Sequence, residues 1–267
     1  MTLQVPGLAV VLVGDRRDSA TYVRMKTKAC EEVGITSVQH DLAAETSQAD
    51  LMKLVAELNA DDSVHGILVQ LPLPGHINEH EVLESINVTK DVDGLHPTNM
   101  AFLAMRGRDP LFAPCTPSGC IELLKRYNIP IQGKRAAVLG RSNIVGIPAG
   151  LLLMANDATV TMCHRYTPDM KAVLQEADIV VVAIGKAEHV PGDWIKPGAT
   201  VIDVGINSVD DPSAKRGYRL VGDVHYESAS KVAGAITPVP GGVGPMTIAM
   251  LLRNTVDSAV RAYGIQE

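Results

Sequence analysis

Apolar runs that end at a loop recur along the chain and constrain its fold more than any other feature. The first, Gly7-Leu-Ala-Val-Val-Leu-Val-Gly14, is continuous, and two further segments with an apolar centre are Val64-His-Gly-Ile-Leu-Val-Gln-Leu71 and Gly133-Lys-Arg-Ala-Ala-Val-Leu-Gly140. Strands with one face in water alternate apolar and polar residues, whereas unbroken runs are typical of strands buried on both faces. Parallel sheets covered by helices bury their strands in this way. The runs therefore predict an α/β protein.

Helical patterns lie between the predicted strands. We expect Ser19 to cap a first helix that ends at Glu32, with Gly34 leaving the helix in a left-handed conformation. Ser47 and Asp50 form an acidic variant of the capping box before a second helix. This alternation of strand and helix is typical of parallel sheets.

The pattern starts again in the second half of the chain, which at 267 residues is long enough for two modest domains. We expect one α/β domain at residues 1–115 plus 246–267 and a second at residues 116–245. The last segment is assigned to the first domain because its helix, about Met246–Tyr263, is long enough to return there.

Composition disfavours several classes of partner. Lys and Arg number 24 against 30 Asp and Glu, and the resulting charge of −6 opposes binding to nucleic acid or anionic lipid. Aromatic residues make up only 3%, too few for base-stacking surfaces. No stretch approaches the roughly 18 apolar residues of a membrane span, and no signal-peptide pattern is visible. We expect a cytoplasmic protein with no nucleic acid or membrane partner.

No metal site is expected from the sequence. The four cysteines, Cys30, Cys115, Cys120 and Cys163, lack metal-ligand spacing and are interpreted as buried reduced thiols. Asp91 and Asp93 are spaced as in a calcium loop, but the other ligands of such a loop are missing. A turn with one functional carboxylate is the preferred interpretation of this pair.

A turn that contains two glycines, Gly140-Arg-Ser-Asn-Ile-Val-Gly146, joins a predicted strand to a predicted helix. The N–H groups and dipole at a helix start attract a pyrophosphate. Dinucleotide-binding turns usually have a second glycine where this chain has Ser142. A plain tight turn is therefore the alternative interpretation.

The end of the next predicted strand indicates which dinucleotide such a turn would bind. NAD enzymes commonly carry an acidic residue there for the ribose hydroxyl, whereas this chain has His164-Arg165. Together with Arg141 in the turn, these side chains suit a 2′-phosphate and favour NADP. The alternative is that both arginines are solvated surface charges.

Several polar residues follow the predicted strands of the first domain. Tyr22 and Lys26 lie one turn apart on the first helix, just beyond a buried strand. Gln70 closes another strand, and Lys90-Asp-Val-Asp-Gly94 follows in a loop, so a lysine, an amide and a carboxylate are expected to converge. A Tyr-x-x-x-Lys pair also marks short-chain dehydrogenases, but there it follows the glycine turn, whereas here it precedes Gly140. As an isolated pair it would be structural.

A loop rich in proline and glycine, Thr237-Pro-Val-Pro-Gly-Gly-Val-Gly-Pro-Met246, precedes the last predicted helix. Linkers rarely combine prolines, whose φ angle is fixed, with glycines, whose backbone is permissive. A binding loop of defined shape is therefore at least as good an interpretation.

Six strings in order along the chain together resemble the bifunctional methylenetetrahydrofolate dehydrogenase/methenyltetrahydrofolate cyclohydrolases. They are Tyr22-Val-Arg-Met-Lys26, Gly66-Ile-Leu-Val-Gln-Leu-Pro-Leu-Pro74, Lys90-Asp-Val-Asp-Gly94, Gly140-Arg-Ser-Asn-Ile-Val-Gly146, Val201-Ile-Asp-Val-Gly-Ile-Asn207 and Pro238-Val-Pro-Gly-Gly-Val-Gly-Pro-Met-Thr247. The resemblance implies a folate-binding catalytic domain, an NADP-binding Rossmann-like domain, a cleft between them and a homodimer built through the nucleotide domains. It also implies NADP-dependent oxidation of 5,10-methylenetetrahydrofolate to 5,10-methenyltetrahydrofolate, followed by hydrolysis to 10-formyltetrahydrofolate.

The same resemblance implies roles for individual residues. Lys26 would be the catalytic base and proton shuttle, Tyr22 would stack on the folate, and Gln70 would tune Lys26. Asp93 would hold the pterin. The other implied folate-binding residues are Val69, Leu71, Pro240, Gly241, Gly242, Val243 and Gly244. The implied NADP-binding residues are Gly140, Arg141, Ser142, Arg165 and Ile206.

Two other interpretations make less use of these residues. A nucleotide-sensing module with an inactive first domain could lose Tyr22, Lys26, Gln70 or Asp93, yet all four are present. A different NADP enzyme would not need both the Gln70 and the Asp93 strings.

The chain departs from the family at one point, because members usually have a helix before the first strand, whereas here Val5-Pro6-Gly7 leads into that strand almost at once.

Overall fold

Two units, each built on a parallel sheet, make up the chain. The computed structural model describes residues 5–214 and 217–264. The first unit contains the chain up to Cys115 and from Ile248 onwards, and the second unit spans Thr116–Thr247. Parallel strands with intervening helices in both units confirm the predicted α/β class.

The strands of the first unit are β1 (Gly7–Val13), β2 (Thr36–Leu42) and β3 (Gly66–Val69). They pair in parallel in the order β2-β1-β3. The odd-numbered residues of β1 from Ala9 pack into one apolar cluster, and the even-numbered residues from Leu8 pack into another. The central strand is thus buried on both faces, as its unbroken apolar run predicted.

The helices of the first unit before residue 115 are α1 (Arg17–Val33), α2 (Gln48–Ala60), α3 (Glu79–Ser85) and α4 (Pro97–Ala104). The prediction that Ser19 caps α1 is wrong. The N–H of Ala20 already bonds to the carbonyl of Arg16, so the helix begins earlier and Ser19 is buried within it. Gly34 ends α1 with a left-handed φ of 78°, which confirms that prediction.

The capping prediction for α2 is confirmed. The Ser47 hydroxyl oxygen accepts a hydrogen bond from the Asp50 N–H at 3.1 Å. The helices α3 and α4 were not predicted, because seven or eight residues are too few to show a clear helical period. Their caps were the available signals: Asn78 accepts from two N–H groups of α3, and Pro97 is the first residue of α4.

The second unit contains β4 (Arg135–Leu139), β5 (Thr159–Cys163), β6 (Ile179–Val182), β7 (Thr200–Asp203), β8 (Asn207–Asp210), β9 (Tyr218–Val221) and β10 (Ala235–Ile236). Five of these strands form a parallel sheet in the order β10-β7-β6-β4-β5. The antiparallel pair β8-β9 and the two-residue β10 were not predicted, because short strands leave little pattern.

The remaining helices are α5 (Cys115–Arg126), α6 (Gly146–Ala155), α7 (Met170–Glu176), α8 (Tyr226–Ala229) and α9 (Val243–Ala262), with a 3-10 turn at Gly192–Trp194. The last helix begins three residues before the predicted Met246, in the second unit, and continues into the first. No described helix is both long enough and apolar enough to cross a membrane.

The first and last residues of the second unit lie next to each other. The hydroxyl oxygens of Thr116 and Thr247 are 3.0 Å apart in a hydrogen bond. One turn into α5, Gly119 packs so closely on Met246 that a Cβ on the glycine would overlap that residue. The two ends of the second unit are therefore fastened to each other.

Candidate active site and cofactor-binding turn

Lys26 and Gln70 form a buried polar pair in the first unit. Lys26 lies on α1 with 5% of its surface exposed, and its Nζ donates a hydrogen bond to Gln70 Oε1 at 3.0 Å. Gln70 follows β3, and its Nε2 donates to the carbonyl of Leu71 at 2.8 Å. This second bond sets the orientation of the amide, so its oxygen faces the lysine.

Tyr22 lies one helical turn before Lys26 and flanks the same amine. Lys26 Nζ is 5.8 Å from the centroid of the Tyr22 ring. The side chain of Tyr22 is half-buried, and burial raises the pKa of its phenol, which stays neutral at physiological pH. The ring therefore offers an apolar face beside an amine.

Burial is the main influence on the charge of Lys26. It lowers the pKa of the amine, while the negative charge of Asp93 acts in the opposite direction. Burial is the larger effect, so the pKa of Lys26 is lowered and the amine loses its proton at a lower pH than a lysine in water does. This is the property that a group shuttling a proton requires.

The loop that carries Asp93 is held in place by Asp91, the other aspartate of this turn. The carboxylate of Asp91 is buried and accepts hydrogen bonds from the N–H groups of Leu95 and His96 and from the Asn99 side-chain amide. Burial raises the pKa of Asp91 to about 7. Of the two aspartates, Asp91 is the buried structural group and Asp93 is only half-buried.

The last helix also supports this loop. Asn254 on α9 donates from Nδ2 to the carbonyl of Val92 at 2.8 Å, next to Asp93. A Cβ on Gly94 would overlap the backbone of Ala113 and Pro114, so glycine is required for the loop to pass them. The position of Asp93 is thus determined from both sides.

Lys90 is not part of this group, although it was expected to converge with Gln70. Its Nζ donates to the carbonyls of Leu58, Asn59 and Asp61 at 3.2, 2.9 and 2.7 Å. These are the carbonyl groups at the end of α2, where a cation is favourable. The lysine that meets the amide is Lys26.

In the second unit, Gly140 and Gly146 make a close connection from β4 to α6. Gly140 has a φ of 110°, and a Cβ there would overlap the carbonyl of Ala183. A Cβ on Gly146 would overlap the carbonyl of Gly140. Only glycine fits at either position, which is the packing that the outer glycines of a dinucleotide turn provide.

Ser142 completes this turn with its side chain. Its Oγ accepts hydrogen bonds from the N–H groups of Val145 at 3.1 Å and Gly146 at 3.4 Å, just before α6. The serine that replaces a glycine therefore orders the turn at the start of the helix. Arg141 beside it is exposed.

The two basic residues after β5, His164 and Arg165, differ in their surroundings. His164 Nδ1 accepts the N–H of Tyr166 at 3.2 Å. Arg165 is exposed, with its guanidinium 4.8 Å from the centroid of the Tyr166 ring. The Gly140 N–H bonds to the carbonyl of Cys163, so the two loops start side by side. Ile206, beyond β7 in the same sheet, is also exposed.

The other predicted binding residues differ in what they present. Val69 and Val243 are buried, and their side chains pack in apolar clusters. Leu71 is half-buried against the same cluster as Val69. The segment Pro240–Gly242 follows a cis peptide bond between Val239 and Pro240, and the Gly242 N–H donates to the Pro238 carbonyl.

The described residues contain no group of His, Cys, Asp or Glu side chains suited to a metal ion. The four cysteines are free and buried.

A parallel five-stranded sheet with a glycine turn between β4 and α6 is the architecture of a dinucleotide-binding domain. Joined to a second α/β unit with a buried lysine, it places the chain in the class of two-domain, nucleotide-dependent enzymes. The chain belongs to the tetrahydrofolate dehydrogenase/cyclohydrolase family. The model of the family's catalytic domain matches residues 2–93, and the model of its NAD(P)-binding domain matches residues 114–263.

Individual relatives cover almost the whole chain. The bifunctional protein FolD 2 of Arabidopsis thaliana is 64% identical over 98% of this chain and 87% of its own length. The chloroplastic FolD 4 of the same plant is 63% identical over 98% of this chain and 73% of its own length. The crystal structure of a Trypanosoma brucei methylenetetrahydrofolate dehydrogenase-cyclohydrolase, complexed with NADP and an inhibitor, superposes with a TM-score of 0.93, 47% identity and coverage of 97% of this chain and 88% of that one.

Proposed function

We propose that the protein oxidises 5,10-methylenetetrahydrofolate to 5,10-methenyltetrahydrofolate with NADP and then hydrolyses the product to 10-formyltetrahydrofolate. The observation that carries this proposal is the buried hydrogen bond between Lys26 and Gln70, flanked by the Tyr22 ring. Membership of the family and the names of its relatives supply the substrate class.

Hydrolysis is the step for which Lys26 is suited. Water adds to the methenyl carbon and one carbon–nitrogen bond breaks, so the water oxygen becomes the formyl oxygen and loses both protons: one reaches the departing nitrogen and the other is released. An amine whose pKa is lowered by burial can accept a proton from the water and deliver it to the nitrogen. We assign this role to Lys26, with Gln70 as the group that orients its amine.

Substrate positioning falls to the residues around this pair. The half-buried Tyr22 ring offers a stacking face for a flat pterin, and Asp93 can accept hydrogen bonds from the pterin amino and ring N–H groups. We include Val69, the Leu71 side chain and the segment Pro240–Gly244, which ends in the first turn of α9, in the folate site. On this proposal the first unit is the catalytic domain and the second binds NADP.

The residues of the second unit fit NADP. The turn from Gly140 to Gly146 places a helix start next to the exposed side chain of Arg141. Arg165 after β5 replaces the carboxylate that would repel a 2′-phosphate. We propose that these residues, with Ser142 and Ile206, hold the cofactor. NADP supplies the hydride acceptor, and the dehydrogenase step then depends on alignment more than on a proton acceptor.

We also propose that the protein forms a homodimer through its second unit. All ten residues of α6 are apolar or glycine, yet Met154 on this helix is 51% exposed. A helix that is apolar on all sides is normally covered. β5 lies at the end of the five-strand order, so its outer edge can pair with a second copy. Light scattering should give twice the chain mass, and Met154→Lys should shift the mass towards one chain.

The compartment is a separate proposal. We propose the cytoplasm, while noting that one similar relative is named as chloroplastic. Fractionation of the source cells with an antibody against the protein decides between the cytoplasm and an organelle.

Absorbance at the methenyl-folate band tests the proposed function. With methylenetetrahydrofolate and NADP, the band should rise and then decay as hydrolysis proceeds.

Because Arg141 and Arg165 replace an acidic ribose ligand, kcat/KM with NADP should exceed that with NAD at least tenfold, about 1.4 kcal/mol. No rise of the band with either cofactor would disprove the dehydrogenase assignment.

A further inference from the structure

Asp223 is a fully buried aspartate in the second unit, in the connection between β9 and α8. Its Oδ2 accepts hydrogen bonds from the N–H groups of Ile184 and Gly185 at 2.7 and 2.9 Å. Its Oδ1 accepts from the Lys186 N–H and from Asn207 Nδ2, both at 2.8 Å. None of the ion pairs found among the described residues includes this carboxylate. Its charge is therefore balanced by four directed N–H groups.

A second buried carboxylate holds Asp223 in place. Asp203, the last residue of β7, accepts hydrogen bonds from the N–H groups of Asp223 and Val224 at 3.0 and 2.9 Å. A Cβ on Gly205 would overlap the Asp223 carboxylate, and a Cβ on Gly222 would overlap that of Asp203. The two aspartates and two glycines therefore specify one arrangement of this connection.

The loops that Asp223 joins leave the sheet at the edge where cofactors bind. Residues 184–186 follow β6, and Asn207 follows β7. Strands β7, β6 and β4 are neighbours, and a Cβ on Gly140 would overlap the carbonyl of Ala183, so the loop after β6 starts against the glycine turn. Ligands of open α/β sheets bind outside the carboxyl ends of the strands.

We infer that Asp223 is a positioning residue for the dinucleotide: its carboxylate ties the loops after β6 and β7 together and thereby shapes the part of the cofactor site next to the glycine turn. The inference rests on the proposed function, because it takes the NADP site to lie at this edge. The three consecutive N–H groups of residues 184–186 are used by Asp223. The loop therefore presents its other groups, including the exposed Lys186 side chain, outwards.

Asp223→Asn tests the inference with little change in shape. The amide keeps one acceptor oxygen but turns an NH₂ group towards N–H donors, so at least one loop loses its anchor. We expect the Kd for NADP, measured by calorimetry, and the KM for NADP each to rise at least tenfold. Hydrolysis of methenyltetrahydrofolate, which needs no cofactor, should stay within about twofold of the parent rate.

Asp178→Asn is the matched control. Asp178 also accepts a main-chain N–H, from Arg135 at 3.0 Å, but it precedes β6 at the opposite edge of the same sheet. We expect this variant to bind NADP as the parent does, even if its Tm falls. If Asp178→Asn weakens NADP binding as much as Asp223→Asn, the effect is one of general stability and the inference is wrong.

A milder variant keeps the test decisive if Asp223→Asn does not fold. Asn207→Ala removes one of the four donors to Asp223, and should raise the Kd for NADP by about threefold while leaving hydrolysis unchanged. Parent-like NADP binding in either folded variant overturns the inference. A parent protein that binds no NADP overturns the proposed cofactor instead, so the two failures are distinguishable.

Discussion

At the scale of single residues, the chemistry of the first unit depends on Lys26. Its amine is held by Gln70 and lies close to the Tyr22 ring, with burial and the Asp93 charge acting on its pKa in opposite directions. Removing the amine should therefore separate the two proposed reactions, since only hydrolysis needs a proton carrier.

Lys26→Met keeps most of the packing of the aliphatic stem and removes the ionisable group. We expect hydrolysis of methenyltetrahydrofolate to fall 10²- to 10⁴-fold, the usual loss of a general acid–base group, and oxidation to fall less, so that methenyltetrahydrofolate accumulates. Paired steady-state assays measure both steps. Tyr22→Phe, which loses only a hydroxyl, is the control and should hydrolyse far better. Hydrolysis by Lys26→Met at the parent rate would exclude Lys26 as the proton carrier.

Asp93→Asn tests the contact proposed for the pterin. A carboxylate accepts from two donors of the pterin, whereas an amide offers one acceptor, so both activities should fall through a higher KM for folate. NADP affinity, measured by calorimetry, should not change. A loss of NADP binding would instead assign Asp93 a structural role.

At the scale of helices and strands, the caps differ in how readily the sequence reveals them. Ser47 lies directly before the helix it caps, and the structure confirms its bond to the Asp50 N–H. Ser47→Ala should lower the free energy of unfolding by about 1 kcal/mol, and Ser47→Asn, which keeps an acceptor, should lower it less. Denaturant unfolding with the two variants side by side measures the difference. Equal losses would show that the cap contributes little.

The sequence predicts the long helices and strands but does not predict the contacts between residues that are far apart in the chain. The strand β1 follows from its unbroken apolar run, and Gly34 from its place after a helix. The prediction that Ser19 caps α1 was wrong because the sequence pattern does not distinguish a serine at the N-cap from a serine in the first turn of the helix. Lys90 was misassigned because its partners, the carbonyls that end α2, lie about 30 residues earlier in the chain.

The candidate site was predictable where a polar residue suited to catalysis follows the end of a predicted strand. Tyr22, Lys26 and Gln70 follow buried strands, and the structure brings these three side chains together. The roles of the buried carboxylates of Asp91 and Asp223 were not predicted, because most of their partners are backbone N–H groups, which every sequence contains. Only the fold shows which of those groups converge.

At the scale of the whole molecule, the two ends of the first unit are joined by one histidine. His65 Nδ1 accepts the Gly7 N–H at 2.9 Å, so the neutral ring carries its proton on Nε2, which lies 3.0 Å from the hydroxyl of Tyr263. Burial, and next the positive charge of Lys90, lower the pKa of His65 below its usual 6.5. Protonation would break the bond to Gly7.

The lowered pKa of His65 determines how the stability of the protein changes with pH. Above pH 6.5 the ring is neutral in both folded and unfolded chains, and its contribution to stability is complete; below pH 6.5 the unfolded chain gains the proton first, so stability falls. The contribution of residue 65 to the Tm should therefore decrease from pH 7.5 to 5.5, separately from the titration of Asp91, whose pKa is raised to about 7 and which is the same in the parent and the variant. In His65→Asn, whose amide oxygen can accept the Gly7 N–H without titrating, the decrease should be smaller. A pH profile identical in both proteins would refute a role for His65.

The hydrogen bond between Thr116 and Thr247 has a consequence for how the chain can be rearranged. Because the second unit leaves and rejoins the first at adjoining residues, it has the topology of a cassette inserted into a host domain, a position at which insertion and exchange are well tolerated. The cassette can be replaced by another nucleotide-binding unit with closely spaced ends without rerouting the host. Such an exchange would change the cofactor preference, and the new unit would also have to supply the segment Pro240–Gly244 that the proposed folate site includes.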